Sequence, residues 1–495
     1  MDLQFNQSVL KCLQCTVREY QTQEQTQDIR IPEGMPDIGI VLGCWGQVVI
    51  RGKEWRSDQV SVSGGVIANV LYMPEESGAP QVMDAWLPFS MKWSIPNARQ
   101  DGTMQVLPNL RGADARVLTS RKLMIRANVG ILMEAMMPAE FSVCQPESLP
   151  EDVQLLTNRY ILNVPKETGE KAFGLDEMLE LSASEPKIEQ VVRLELSPQV
   201  LEQKVLADKL IFRGLCIAHL LYRSADGQLH SRDFDLPFSQ YADLSGEFAP
   251  EATMQVIPVV TNLEYDHTPE GGLHLKAGFS GQYMIFDKMN LDLVQDAYSP
   301  VRTVEPTMSR LTIPAVLESN TQTLSAQVDP MVDVMRPIDI CFWQDQPYVG
   351  RDGEAVEADL SGTFQMLYYD PEGQLQIAQT RWEDTIAIPA DESCSVAVSV
   401  HPGGKCQYSA GALRSDLLAD YAVMSGQGLD MVCALDAGEM TDADPQRPSM
   451  IITKAGNETL WQIAKANGST VDLIRQANAL TAEPAADSIL LIPVK

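Results

Sequence analysis

The sequence predicts a mainly β protein, with three repeated β-rich modules in tandem followed by a small α+β domain of βααβ order. Three observations carry this expectation. The hexamer Thr103-Met104-Gln105-Val106-Leu107-Pro108 returns as Thr253-Met254-Gln255-Val256-Ile257-Pro258, an offset of 150 residues. Runs of β-branched and aromatic residues bounded by Gly, Pro and Asp recur around both hexamers, the pattern of short antiparallel strands. Near the C-terminus this gives way to a helical stripe at Leu460, Ile463 and Ala464.

The offset holds well beyond the hexamer. Leu87-Pro88-Phe89-Ser90 matches Leu236-Pro237-Phe238-Ser239, Tyr72 matches Tyr222, and Leu123, Ile125 and Ala127 fall on Leu273, Leu275 and Ala277. A third, diverged copy is read from Gly362 to Tyr369, which resembles Gly65 to Tyr72, and from the alternation Leu417, Ala419, Tyr421, Val423. A period this long describes a row of domains, because solenoid repeats run only about 20 to 50 residues.

Taken in order, residues 1–27 read as an N-terminal strand segment, with Leu13, Cys15 and Val17 alternating on one face. The turn Ile31-Pro32-Glu33-Gly34-Met35-Pro36-Asp37-Ile38 then opens module 1, over 28–140. Its strands are read at Val48-Val49-Ile50, Val60 to Tyr72 and Lys122 to Met133. Residues 141–174 are expected to be a connector, irregular from Pro146 to Lys166. Module 2 covers 175–290, with strands at Ile188 to Leu196, Lys209 to Tyr222 and Gly272 to Phe286; a connector takes 291–314, and module 3 covers 315–435. Residues 436–448, carrying Asp436, Glu439, Asp442, Asp444, Pro445 and Pro448, read as a flexible acidic linker that leaves 449–495 free to move.

The net charge of −30 disfavours nucleic acid and anionic membranes as partners, since both are polyanions. From Pro448 onward Lys454, Lys465, Arg475 and Lys495 balance Glu458, Asp472, Glu483 and Asp487, so the acidic excess belongs to the modules. No apolar run approaches a membrane span, and Met1 to Ser8 has no signal-peptide pattern, so a soluble cytoplasmic protein is expected. Nine scattered cysteines form no disulfide framework, and the Cys12-x-x-Cys15 pair lacks the second pair a zinc site would need.

In the last domain Thr459 with Gln462 three positions on forms a capping box, and Gly468 is placed to end the helix. A second short helix follows Ser469 or Thr470, and strands at Ile451-Ile452 and Ile489 to Ile492 flank the pair. On Gly456 to Ala464, Ser469 to Ile474, Asn478 and Ile489 to Pro493, the domain resembles a LysM domain. The turn at 31–38 and the repeated strand ending Leu-Tyr resemble the SPOCS domain of sporulation proteins from endospore-forming bacteria. SPOCS modules followed by LysM are similar to a spore-coat morphogenesis family. That resemblance implies a place on the mother-cell side of the forespore surface and a protein partner, the spore-coat morphogenetic ATPase SpoIVA. It also implies a LysM groove for partner or glycan, here Gly456, Asn457, Glu458, Thr459, Leu460, Trp461, Asn478, Ala479, Leu480 and Asp487. Asn457-Glu458 with one inserted residue, and Asp487 about where the family has glycine, depart from the family pattern in both groove loops.

No His-Glu-x-x-His, Gly-x-Ser-x-Gly, Walker A or Gly-x-Gly-x-x-Gly motif occurs, and Gly403-Gly404-Lys405-Cys406 reads as a turn. Histidines 219, 230, 267, 274 and 401 show no ligand spacing. The expectation is a non-enzymatic scaffold or adaptor without cofactor, docking a protein partner through its last domain. The alternatives are a LysM protein that binds peptidoglycan or another N-acetylglucosamine polymer, and an enzyme of unrecognised class.

Overall fold

The computed structural model describes residues 2–494 except 4, 57, 77, 98, 148, 353–354, 392–393, 425–427 and 441–447. Strands make up 72% of the chain and helix 3%, the mainly β class expected. After a two-residue strand, β1 (Asp2–Leu3), come β2 (Phe5–Arg30), β3 (Ile38–Arg56), β4 (Gln59–Pro74), β5 (Gln81–Ser94), β6 (Thr103–Thr119) and β7 (Lys122–Pro146). They pair antiparallel as two sheets of order β2-β7-β6 and β3-β4-β5. Val60, Val62, Val66, Ala68, Val70 and Tyr72 of β4 face Leu123, Ile125, Ala127, Val129, Ile131 and Met133 of β7 across one core. Two period-2 runs thereby close a sandwich, each buried Val, Leu, Ile or Met side chain contributing roughly 1.5–3 kcal/mol. The 31–38 turn is clamped from the core side. Arg121 donates to the carbonyls of Pro32 and Met35 and to Asp37, and the Tyr72 hydroxyl donates to the Pro36 carbonyl at 3.1 Å.

The next six strands are β8 (Gln154–Leu179), β9 (Gln190–Leu206), β10 (Lys209–Arg223), β11 (Leu229–Asp243), β12 (Thr253–His267) and β13 (Leu273–Tyr298), in sheets β12-β13-β8 and β11-β10-β9. Each starts within two residues of 150 beyond its counterpart in β2 to β7. The hexamers open β6 and β12, and Tyr222 is buried in the second core as Tyr72 is in the first. Pro88 and Pro237 sit on β5 and β11, both edge strands, where a missing N–H breaks no ladder.

The third set comprises β14 (Arg302–Leu311), β15 (Val316–Val328), β16 (Arg336–Gln344), β17 (Tyr348–Asp352), β18 (Ala355–Tyr369), β19 (Leu375–Ile388), β20 (Ser395–Pro402), β21 (Gln407–Ser409), β22 (Ala412–Met424) and β23 (Leu429–Met440). Strand β22 pairs β15 and β20, while β18 pairs β16, β17 and β19, so the two-sheet plan is kept with shorter pieces. One register differs from the sequence reading. Tyr368, not Tyr369, occupies the core place of Tyr72 and Tyr222; Tyr369 turns outward under the Arg336 guanidinium. A slip of one residue moves a side chain to the opposite face of a strand, and two adjacent tyrosines conceal it.

The expected connectors are largely strand. β8 begins at Gln154 and runs through the stretch read as irregular over 141–174; β13 and β14 occupy most of 291–314. Residues 5–27 of the expected N-terminal segment likewise belong to β2, which pairs with β7 along its whole length, and Asp2 and Leu3 pair with β23. The outer halves of β2–β7 and β8–β13 form ribbons that pack with β14–β23 around Cys12, Val143, Val164, Leu291, Leu293, Leu311 and Met431. A ribbon in such a bundle buries little of each strand, so its apolar alternation is diluted and reads as loop. The acidic linker is strand as far as Met440, because β23 pairs β14, and its residues 441–447 lie outside the described ones.

The outer faces of the three sheets β3-β4-β5, β9-β10-β11 and β16-β18-β19 meet at one apolar cluster. Corresponding positions meet there: Leu42 with Val192 and Ile338, and Leu71 with Leu221 and Leu367. The modules are therefore gathered about a pseudo-threefold axis, which a linear row of domains would not produce.

Candidate protein-docking head

The C-terminal domain folds as β24 (Met450–Lys454), α1 (Leu460–Asn467), α2 (Val471–Asn478) and β25 (Ile489–Pro493). Its local sequence sets these bounds. The Thr459 hydroxyl accepts from the Gln462 N–H while the Gln462 side chain accepts from the Thr459 N–H, and Gly468 ends α1 at φ 60°. Thr470 caps α2, its hydroxyl accepting from the Leu473 N–H. Leu460, Ile463, Ala464, Ile474, Leu490 and Ile492 close the small core.

The groove residues divide by role. Gly456 and Glu458 form a tight loop in which the Gly456 N–H meets the Glu458 carboxylate at 3.2 Å. Asn457 is exposed beside them. The Leu460 N–H donates to Glu483 at 2.7 Å, bracing the first loop against the second. Asn478 is a structural clasp, donating to the carbonyls of Ile474 and Leu491 and accepting from the Leu491 N–H. Ala479 is left-handed and caps α2, with the Leu480 N–H bonded to the Arg475 carbonyl. Asp487 is also left-handed, at φ 68°, and pairs with Lys454 at 2.8 Å. A left-handed position that glycine fills without strain is here taken by an aspartate whose N–H donates to the Ala455 carbonyl at 2.8 Å.

Trp461 is not free to line a groove. Its indole N–H donates to Asp296 of β13 at 2.8 Å, and its ring meets Tyr298 edge-on with centroids 4.7 Å apart. Lys465 also binds the Asp296 carboxylate, and the buried Tyr298 hydroxyl donates to the Ser469 carbonyl at 3.0 Å. Burial alone would raise the Asp296 carboxyl, yet Lys465 and Trp461 hold it below the usual carboxylate range; burial, then the Asp296 charge, pushes the Tyr298 phenol up to about 12. The independently moving head expected from the linker is thus corrected, because Tyr298 joins the head's own core. The sequence reading missed Asp296 and Tyr298, which lie in a stretch taken as connector, and Glu483, whose role depends on a partner 23 residues away.

Elsewhere, Cys12 is buried among the ribbons, and Cys15 sits beside a bulge with its thiol pushed up to about 12 by burial and then Glu134. Among the described residues the nine cysteines are free, no cluster of three or more His, Cys, Asp or Glu is placed to hold a metal ion, and no helix is long and apolar enough to cross a membrane.

Compared with known families, residues 187–268 match the family described as SipL, SPOCS domain. The chain carries a SPOCS domain. The SPOCS match spans β9 to β12, while β8 and β13, which complete that sandwich, lie outside it. Strands β3 to β6 repeat the matched SPOCS strands 150 residues earlier. No curated protein matches the chain, and no solved structure does.

Proposed function

We propose that this protein is a non-enzymatic scaffold or adaptor in spore-envelope assembly, and that its C-terminal head, which resembles a LysM domain, docks a protein partner. The SPOCS match supports a sporulation role. By resemblance, the partner is the coat morphogenetic ATPase SpoIVA and the place is the cytoplasmic, mother-cell side of the forespore surface. The observation that carries docking of protein over glycan is the Leu460–Glu483 bond. A glycan site of this kind uses backbone groups of the two groove loops to meet N-acetyl groups, and here that N–H is taken by the chain's own carboxylate. A shallow carbohydrate site depends on a few well-placed polar contacts, so losing them weakens it more than it weakens a broad protein interface.

The test uses the full chain. Capture from sporulating cells should recover SpoIVA, and substitutions at the exposed Asn457 and Glu458 should reduce that recovery without changing the melting temperature. Purified peptidoglycan should not retain the protein. Saturable retention on peptidoglycan or chitin oligomers, abolished by the same substitutions, would instead establish the glycan reading.

A further inference from the structure

The meeting point of the three modules is apolar except for one charged group of residues. Arg193 and Asp339 pair at 2.8 Å with both side chains almost wholly buried, and Arg193 also donates to the Glu195 carboxylate on its own strand. His219 lies between two carboxylates, with Nδ1 2.5 Å from Asp233 and Nε2 2.6 Å from Asp339. Lys405 closes the group on Asp233 at 3.1 Å.

These residues are equivalent to one another across the modules. Arg193 follows Val192 and Asp339 follows Ile338, as Gly43 follows Leu42. One position thus carries glycine in module 1, a cation in module 2 and an anion in module 3. Glycine is required at 43, since a Cβ there would overlap the Trp45 ring, which fills the space the other two side chains take. We infer that this position is a recognition code: it determines which module packs against which, and it keeps a chain from exchanging modules with a second copy of itself.

The physical reason is asymmetry in cost. A buried ion pair adds little net stability over an apolar pair of the same volume, but a buried charge without its partner is strongly destabilising. Like modules meeting like would bring Arg193 to Arg193 or Asp339 to Asp339 in the same dry place. Three modules of one fold otherwise have equivalent faces and could pair between chains. Selectivity against those pairings is what the pair supplies.

The test uses full-length chains carrying tags of different mass, refolded from urea and examined by native mass spectrometry. Arg193→Asp alone and Asp339→Arg alone each place like charges together and should return at least about tenfold less monomer than wild type. Refolded together, they should form a 1:1 dimer by exchanging third modules, because each reversed residue then meets its opposite and native Arg193 meets native Asp339. The double variant R193M/D339L keeps volume but lacks the code, and should refold with mixed-tag dimers at least about fivefold above wild type. Wild-type monomer yield from either reversed variant, or no 1:1 species beyond what each forms alone, would overturn the inference. So would a double variant that refolds as cleanly to monomer as wild type.

Discussion

The Asp296 carboxylate at the end of β13 accepts the Trp461 indole N–H at 2.8 Å, joining two residues that lie 165 apart in the chain. With Lys465 on the same carboxylate and Tyr298 in the head's core, this contact sets how the head is presented.

Removing that contact should loosen the head without unfolding the modules. Tyr298→Phe deletes only the hydroxyl that donates to Ser469 and should cost about 0.5–1.5 kcal/mol locally. Asp296→Ala strips the acceptor from Trp461 and Lys465 and should cost about 1–3 kcal/mol. Amide hydrogen exchange over 460–478 measures both, and should accelerate while β4 and β10 are unchanged. Equal protection of α1 in wild type and both variants would show that the head does not depend on β13.

Stability should fall on both sides of neutral pH because of the buried group around His219. Burial alone would lower that imidazole, but the charge of Asp339 and the bonds to Asp233 and Asp339 raise it to about 9. A raised folded value means the contribution is complete below the unfolded value of roughly 6.5 and is lost as pH rises through about 9, a span on the order of 3 kcal/mol. Asp339 works in the opposite direction. Against the cost of burial, His219 and Arg193 hold it well below the carboxylate range, so its contribution is present above its unfolded value and is lost as pH falls through its depressed value. Urea midpoints measured from pH 6 to 10 should decline above pH 7 in wild type, and His219→Gln should flatten that decline. A variant whose profile parallels wild type would remove His219 as the cause.

Gly64 and Gly214 stand at the same place in β4 and β10, each beside a bulge in the neighbouring strand. A Cβ at Gly64 would overlap the Val49 carbonyl oxygen and the Phe89 ring; at Gly214 it would overlap the Gln199 carbonyl oxygen and the Phe238 ring. Backbone cannot yield as a flexible side chain can, so Gly64→Ala and Gly214→Ala should each destabilise by about 1–3 kcal/mol or more. Thermal melts of the two variants should shift down together. A tolerated alanine at one site and a large loss at the other would mean the duplicated strands no longer share this packing.

What could be read without the structure was whatever depends on near neighbours or on self-similarity. The capping box of Thr459 and Gln462, the stop at Gly468 and the alternation on β22 involve partners a few residues apart, so spacing alone reveals them. The 150-residue offset is visible because duplicated modules keep their buried positions, as Tyr72 and Tyr222 do. The runs of β-branched and aromatic residues placed the chain in the β class for a like reason, since such residues at period 2 have few other ways to be buried.

The tertiary structure decided what depends on residues distant in sequence. Whether Tyr368 or Tyr369 enters the core is set by the pairing of β18 with its neighbours, and adjacent identical residues carry no record of it. The ribbons escaped notice because each strand there buries only a few residues against the others, so no single segment needs a strong apolar face. Arg193, His219 and Asp339 look like ordinary surface charges until three sheets meet over them, and Asp296 looks like one more carboxylate in an acidic protein until Trp461 arrives. Burial changes the energetic weight of a charge, and burial is produced by the assembled fold.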